Sequence, residues 1–266
     1  MGFIRTCYNV LPLLLNIVAF TFSILVLLGG TSSTPNSFIN SVYFIKINTT
    51  EIVSSSIPAS GIINSVAQKI GIQNFYTASL WSYCEGNIDG VRTFCSPPTT
   101  LYQFDPIKII SQQLFSGVVI DVPQSLQNDL NNVHTAQRWS FALYMTGTII
   151  LGLCLFVGFA ALFSWCGSVF ATIMAFFGGA CILAASIIAT VLWTIVVNSV
   201  KDVPQLGVTA SLGGNAIAFT WIAAGTGVFA FIFYMFGICC CGGRERRQER
   251  PYWSRREDGP YYNPKY

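Results

Sequence analysis

"WSFALYMTGTIILGLCLFVGFAALFSWCGSVFATIMAFFGGACILAASIIATVLWTIVVNSV", residues 139–200, is bounded by Arg138 and Lys201 and holds no Asp, Glu, Lys, Arg or His in its 62 residues. As one helix at about 1.5 Å per residue it would be ~93 Å long, roughly three times a bilayer's hydrocarbon core. It must therefore fold back on itself. The stretch "SWCGS", Ser164–Ser168, is the natural turn, with one span over 139–163 and another over 169–197. Outward from this pair, the chain carries no charged residue between Arg5 and Lys46, and the apolar part of that gap, 10–30, has the ~20 residues that a transmembrane helix needs. A fourth apolar run covers 216–238 and ends in "CCCGGRERR". With 53% hydrophobic and 9% charged residues, against about 25% charged in soluble domains, the chain falls in the membrane class.

Four spans put both termini on one side. Seven of the fourteen Lys and Arg residues (Arg244, Arg246, Arg247, Arg250, Arg255, Arg256 and Lys265) lie in the tail, and with Arg5 they assign that side to the cytoplasm. The expected layout is a cytoplasmic N-terminus (1–9), an outer module (31–138), a cytoplasmic turn (164–168), a second outer loop (198–215) and a basic tail (239–266) expected to be disordered. Arg5 before an apolar run imitates a signal peptide. The run exceeds the usual ~7–15 residues, however, and "LLGGTSS" is a poor cleavage site, so the first span is expected to be retained. The net charge of +3 is small, and its asymmetry fits topology or an anionic lipid surface rather than a nucleic-acid groove.

Of nine cysteines, only Cys84 and Cys95 fall outside, where disulfides persist. A zinc site is disfavoured because this loop adds only His134 to the two thiols, short of four ligands. Asp89-Gly90 reads as a type I′ hairpin turn, and counting outward pairs 88 with 91, 86 with 93, and 84 with 95. Opposed residues of antiparallel strands have Cα atoms about 4.5–5.5 Å apart, inside the roughly 4.4–6.8 Å that a disulfide accepts. A two-residue loop would make 84 and 95 a wider, hydrogen-bonded pair, and a bulge would adjust that register. Trp81 is expected within the first strand, at the base of the sheet. "SVYFIKIN", Ser41–Asn48, has strand character. Pro58 to Ile70 places Ile62, Val66 and Ile70 on one helical face, and a short helix carrying Leu126, Leu130 and Val133 is expected after Pro123. Asn48-Thr49-Thr50 is a glycosylation sequon.

The string Leu80-Trp81-Ser82-Tyr83-Cys84, followed by Cys95, resembles the L-W-x-x-C…C signature of claudin-like four-span proteins, and in particular of the fungal Sur-seven/PalI family. "LGVTASLGGNAIAFTW", Leu206–Trp221, is similar to the start of that family's fourth span. The resemblance implies a mainly α four-helix transmembrane bundle carrying a small disulfide-pinned antiparallel sheet in its first outer loop. It also implies a plasma-membrane protein of static cortical domains such as eisosomes, linked to cell-wall integrity, endocytosis and stress response.

Chemistry-bearing motifs are otherwise scarce. The spans lack the ionisable groups that proton relays and ion pathways use. No G-x-S-x-G, H-E-x-x-H or P-loop string occurs, so no catalytic residue, metal site, cofactor or small-molecule substrate is expected. His134, Asp105, Asp121 and Asp129 read as ordinary solvated residues. Small residues at four-residue spacing, Ala175 with Gly179, Ala180 with Ala184, and Ala223 with Gly227, permit close helix approach, within the bundle or against a partner. Cys239, Cys240 and Cys241, next to arginines, are candidates for palmitoylation; Cys7 and Cys166 alone read as small apolar residues. Met1-Gly2 with Thr6 and the terminal "NPKY" imitate myristoylation and endocytic signals and are discounted. Three functions remain: a scaffold working through self-association, membrane lipids and other cortical membrane proteins; an accessory subunit of ambient-pH signalling; and claudin-type adhesion or fusion.

Overall fold

The computed structural model describes residues 2–31, 38–49, 73–87, 89–102, 104, 124–162, 165–201 and 209–241. Four long helices, α1 (Gly2–Leu28), α2 (Gln124–Ala161), α3 (Trp165–Lys201) and α4 (Gly214–Cys241), form an antiparallel bundle in which α1 and α3 each pack between α2 and α4. Their segments Val10–Leu28, Asn132–Ala161, Cys166–Lys201 and Gly214–Ile238 are long and apolar enough to cross a membrane. The fold is that of a claudin-like four-helix bundle.

The side chains are sorted as lipid would sort them. Large apolar groups such as Leu14, Leu153, Phe156, Phe170, Phe177, Val191 and Phe229 point outward, while Asn16, Ser23, Thr148, Ser186 and Thr220 are buried with a row of alanines. An exposed apolar surface this extensive is out of place in water and at home against acyl chains. Between helices without a hydrophobic drive to associate, close packing and hydrogen bonds supply the adhesion. Asn16 donates to the Leu151 carbonyl at 3.3 Å, joining α1 to α2, and Ser186 donates to the Thr220 carbonyl at 3.2 Å, joining α3 to α4.

The reversal inside the 62-residue run is tighter than the expected turn at Ser164–Ser168. α3 already starts at Trp165, and Gly167 lies so close to the end of α2 that a Cβ there would stand 2.9 Å from the Ala161 nitrogen. The short helix expected after Pro123 continues without a break into α2. At about 1.5 Å per residue, α2 and α3 are each ~55 Å long and overreach the bilayer core, so their ends rise beside the outer module.

That module is a five-stranded antiparallel sheet of β1 (Ile45–Asn48), β2 (Phe75–Ala78), β3 (Tyr83–Gly86), β4 (Arg92–Cys95) and β5 (Thr209–Leu212), in the order β4-β3-β2-β1-β5. Ser41, expected in the first strand, belongs instead to a 3-10 turn, Phe38–Ser41. β5 comes from the second outer loop, where no strand was expected. Its pairing with β1 ties the two outer loops into one sheet. Ile45, Ile47, Tyr76, Ala78 and Ala210 on one sheet face merge with Tyr144, Ile182, Ala185, Leu192 and Trp193 of the helices into a single core. A second cluster, Cys154, Ala161, Ala171, Ala175 and Tyr234, closes the opposite end of the bundle. The sequence segments 50–72 and 105–123, including the helix expected over 58–70, lie outside the described residues, as does the tail from 242.

Candidate functional site at the junction of sheet and bundle

Cys84 and Cys95 are joined by a disulfide, with Cα atoms 4.0 Å apart. The hairpin that opposes them is not the expected two-residue loop. The Gly90 N–H donates to the Asn87 carbonyl at 3.0 Å, and the Asn87 N–H donates to the Val91 carbonyl at 3.0 Å, so the loop has three residues. Gly90 takes the left-handed conformation there, at φ +77°, and Asp89 does not. A glycine in the left-handed conformation at the end of a three-residue loop is the common way to close such a hairpin with a bulge. The longer loop would put the cysteines out of step. A bulge between Glu85 and Gly86 restores them: Gly86 pairs with Arg92, Glu85 with Phe94, and Cys84 with Cys95. Thr93 is the extra residue, and the shift turns 84 and 95 into the narrow, non-hydrogen-bonded kind of pair.

Trp81 is not in a strand. It occupies the β2–β3 turn, closed by the Ser79 N–H donating to the Ser82 carbonyl at 2.9 Å, and its ring stands edge-on to Phe141 of α2 with centroids 4.9 Å apart. Its neighbour Leu80 packs against the shared core. The same turn grips the end of α1. Ser82 donates to the Gly30 carbonyl at 2.7 Å, and Gly30, at φ +75°, lies so near Ser79 that a Cβ would collide with its side chain. The L-W-x-x-C string therefore acts as a clasp: its Leu and Trp hold the helices, and its Cys holds the hairpin.

Charged groups reinforce the clasp. The Arg92 guanidinium donates to the side-chain oxygen of Asn40 at 3.3 Å and to the Asn40 carbonyl, pinning the 3-10 turn across the disulfide. Burial lowers Arg92 from its usual value, opposed by its interaction with Tyr43. Lys46 stands 4.5 Å over the Phe75 ring, a cation–π contact on the outer face. The Tyr83 phenol is raised above its usual value, first by burial and then by the nearby carboxylate of Glu85. Tyr83 also stacks on Tyr102 at 6.4 Å.

The second family-like string has a spatial reason too. Gly213 follows β5 and donates its N–H to the Phe44 carbonyl at 2.9 Å; a Cβ there would collide with the Tyr43 carbonyl. No spacing rule pointed to Gly213, though the paired glycines at 213–214 before a helix were a visible signal.

Two of the three small-residue pairs, Ala175 with Gly179 and Ala223 with Gly227, face inward between α3 and α4, whereas Ala180 is exposed and Ala184 half-buried. A Cβ on Gly179 would sit 3.2 Å from the Gly227 backbone, and Ala175 and Ala223 are fully buried, so α3 and α4 cross here at backbone contact. Asn48 ends β1 and is exposed, while His134 is half-buried on α2. Cys239, Cys240 and Cys241 fall in the last turn of α4; their side chains, like that of Cys7, lie outside the described residues, as do Asp105, Asp121 and the Asp129 side chain. Cys166 is exposed. Among the described residues, no three His, Cys, Asp or Glu side chains come together as a metal site would require.

The SUR7/PalI family profile matches residues 8–233. The SUR7 family protein pun1 of Schizosaccharomyces pombe is 24% identical over 260 residues, covering 83% of this chain and 90% of that protein. A match that runs from the first span to the fourth, across the clasp and both outer loops, shows that this multi-pass membrane protein belongs to the SUR7/PalI family.

Proposed function

We propose that the protein is a non-enzymatic organiser of a plasma-membrane domain of the eisosome or cortical-patch type, with both termini cytoplasmic, contributing to cell-wall integrity, endocytosis or stress response. The observation that carries this reading is the shared core: sheet and helix tops bury one continuous set of side chains, so an outer contact is rigidly coupled to the spans. A unit of that kind suits lateral assembly, whereas transport needs polar pathways and spans that move. The pairs Ala175 with Gly179 and Ala223 with Gly227 are spent within the bundle, which leaves the sheet edges, the exposed Ala180 side of α3 and the aromatic outer faces of the helices for self-association, lipids and other cortical membrane proteins. Arg5 and the basic tail support the cytoplasmic assignment of the termini.

Photobleaching a tagged full-length copy in living fungal cells tests the reading. Persistent patches that recover over many minutes are expected. Uniform distribution with recovery in seconds would remove the scaffold and favour the signalling alternative, whose own readout is selective loss of growth at alkaline pH in the deletion strain.

A further inference from the structure

β1 climbs away from the bundle. Its first residue, Ile45, pairs with Ala78, next to the turn that grips the end of α1, and with Leu212, two residues before α4 begins. Its last residue, Asn48, pairs with Phe75 and Thr209 at the other end of the sheet. The three steps from Ile45, at about 3.3 Å each, put Asn48 roughly 10 Å farther from the helices. Strand alternation then sets its face. Ile45 and Ile47 are buried in the core shared with the bundle, so Lys46 and Asn48 point the other way, and Asn48 is exposed. Thr49 is buried behind it. Its N–H donates to the Asn74 carbonyl at 3.0 Å and its hydroxyl to the Gln73 carbonyl at 2.6 Å, fastening the strand end to the approach of β2.

Asn48-Thr49-Thr50 is the one N-x-S/T string in the sequence. Such a string alone is a common accident. Here it coincides with two independent observations: the acceptor asparagine faces solvent at the membrane-distal end of a strand, and the same sheet holds the Cys84–Cys95 disulfide, the mark of an oxidising compartment such as the secretory lumen. A bulky polar addition at this position displaces no packed side chain. We infer that Asn48 carries an N-linked glycan. Its Nδ2 attacks the anomeric carbon of the first N-acetylglucosamine of a polyisoprenyl-pyrophosphate-linked oligosaccharide, the donor of the secretory pathway. A C–N bond forms, the C–O bond to the pyrophosphate breaks, the lipid pyrophosphate leaves, and Nδ2 gives up one proton. The sugar then covers the distal rim of β1, closing that rim to head-on contact between outer modules while the lipid-facing sides of the helices stay open to lateral contact. This rests on the outward orientation of residues 31–138 and not on the scaffold role.

The test expresses the full chain in fungal cells and treats the membranes with peptide N-glycosidase in heavy-oxygen water. A discrete downward mobility step is expected, with a heavy-oxygen carboxylate left at position 48. Asn48→Gln and Thr50→Ala should each abolish the step, whereas Thr50→Ser, which keeps the hydroxyl, should retain it; an intact Cys84–Cys95 bond in each variant reports folding. A reporter separates the site from the orientation. Added to Asn48→Gln, the substitution Asp89→Thr makes the exposed hairpin residue Asn87 a new acceptor. No step on the native chain beside a step on this reporter would overturn the glycan at Asn48 and leave the orientation standing. No step on either would overturn both, and a native step that survives Asn48→Gln would overturn the assignment to this residue.

Discussion

Thr93 is the residue on which the outer hairpin turns, since its insertion as a bulge brings Cys84 opposite Cys95 after a three-residue loop. The pairing of the cysteines was legible from sequence because both halves of that change cancel: one residue more in the loop and one more in the strand leave the opposed pair the same. The loop type was not legible, although Asn87 three residues before Gly90 suits a type I turn with a left-handed glycine. Trp81 was misplaced for a related reason. Apolar residues in a turn look like strand residues when their burial comes from another element, here α2. Replacing Cys84 with Ser should cost about 2–4 kcal/mol and lower the amount reaching the surface; finding both native thiols open to alkylation in unreduced cells would contradict the bond. Arg92→Lys keeps the charge but loses the forked contact with Asn40, so the outer module should lose about 1.5–3 kcal/mol, read as easier proteolysis of the outer loops on intact cells.

Among the elements, the four spans were visible as gaps in charge because lipid tolerates no other pattern, and their cores lie within the helices found. Their ends were less visible. α2 runs back to Gln124, where the spacing of Leu126, Leu130 and Val133 had marked a helix leading into the span but hydropathy alone showed none. β5 escaped notice because Thr209–Leu212 is four residues long and mostly exposed, and its partner β1 is 161 positions or more away in sequence, so tertiary pairing alone makes it a strand. Gly213 is the hinge of that pairing. Gly213→Val must push against the Tyr43 backbone and should detach β5 from β1, seen as a gain of amide exchange over 209–212; unchanged protection would show that the contact yields easily. At the α3–α4 crossing, Gly179→Leu should cost about 1–3 kcal/mol or more by overpacking and lower the thermal midpoint in detergent.

At the scale of the whole molecule, α1 ends and α4 begins beside the sheet, so the two termini leave the bundle from the other end. Cys239, Cys240 and Cys241 close α4 there, next to the arginine-rich tail. Acyl chains and basic side chains on one leaflet would act together, each arginine adding about 1 kcal/mol near an anionic surface. If the three cysteines are acylated, changing all three to Ser should leave insertion intact and disperse the protein from the patches proposed for it; no acyl-exchange mass shift on the native chain would rule the acyl anchor out. The account stands most directly on the union of sheet and bundle. Hydrogen exchange on the full chain in vesicles, with and without reduction of Cys84–Cys95, measures it. The central strand β2 and the helix tops around Tyr144, Ile182 and Trp193 should be protected together and lose protection together on reduction. Free exchange across β2 beside fully protected helix tops would mean that the outer module moves independently of the spans, contrary to a single rigid unit.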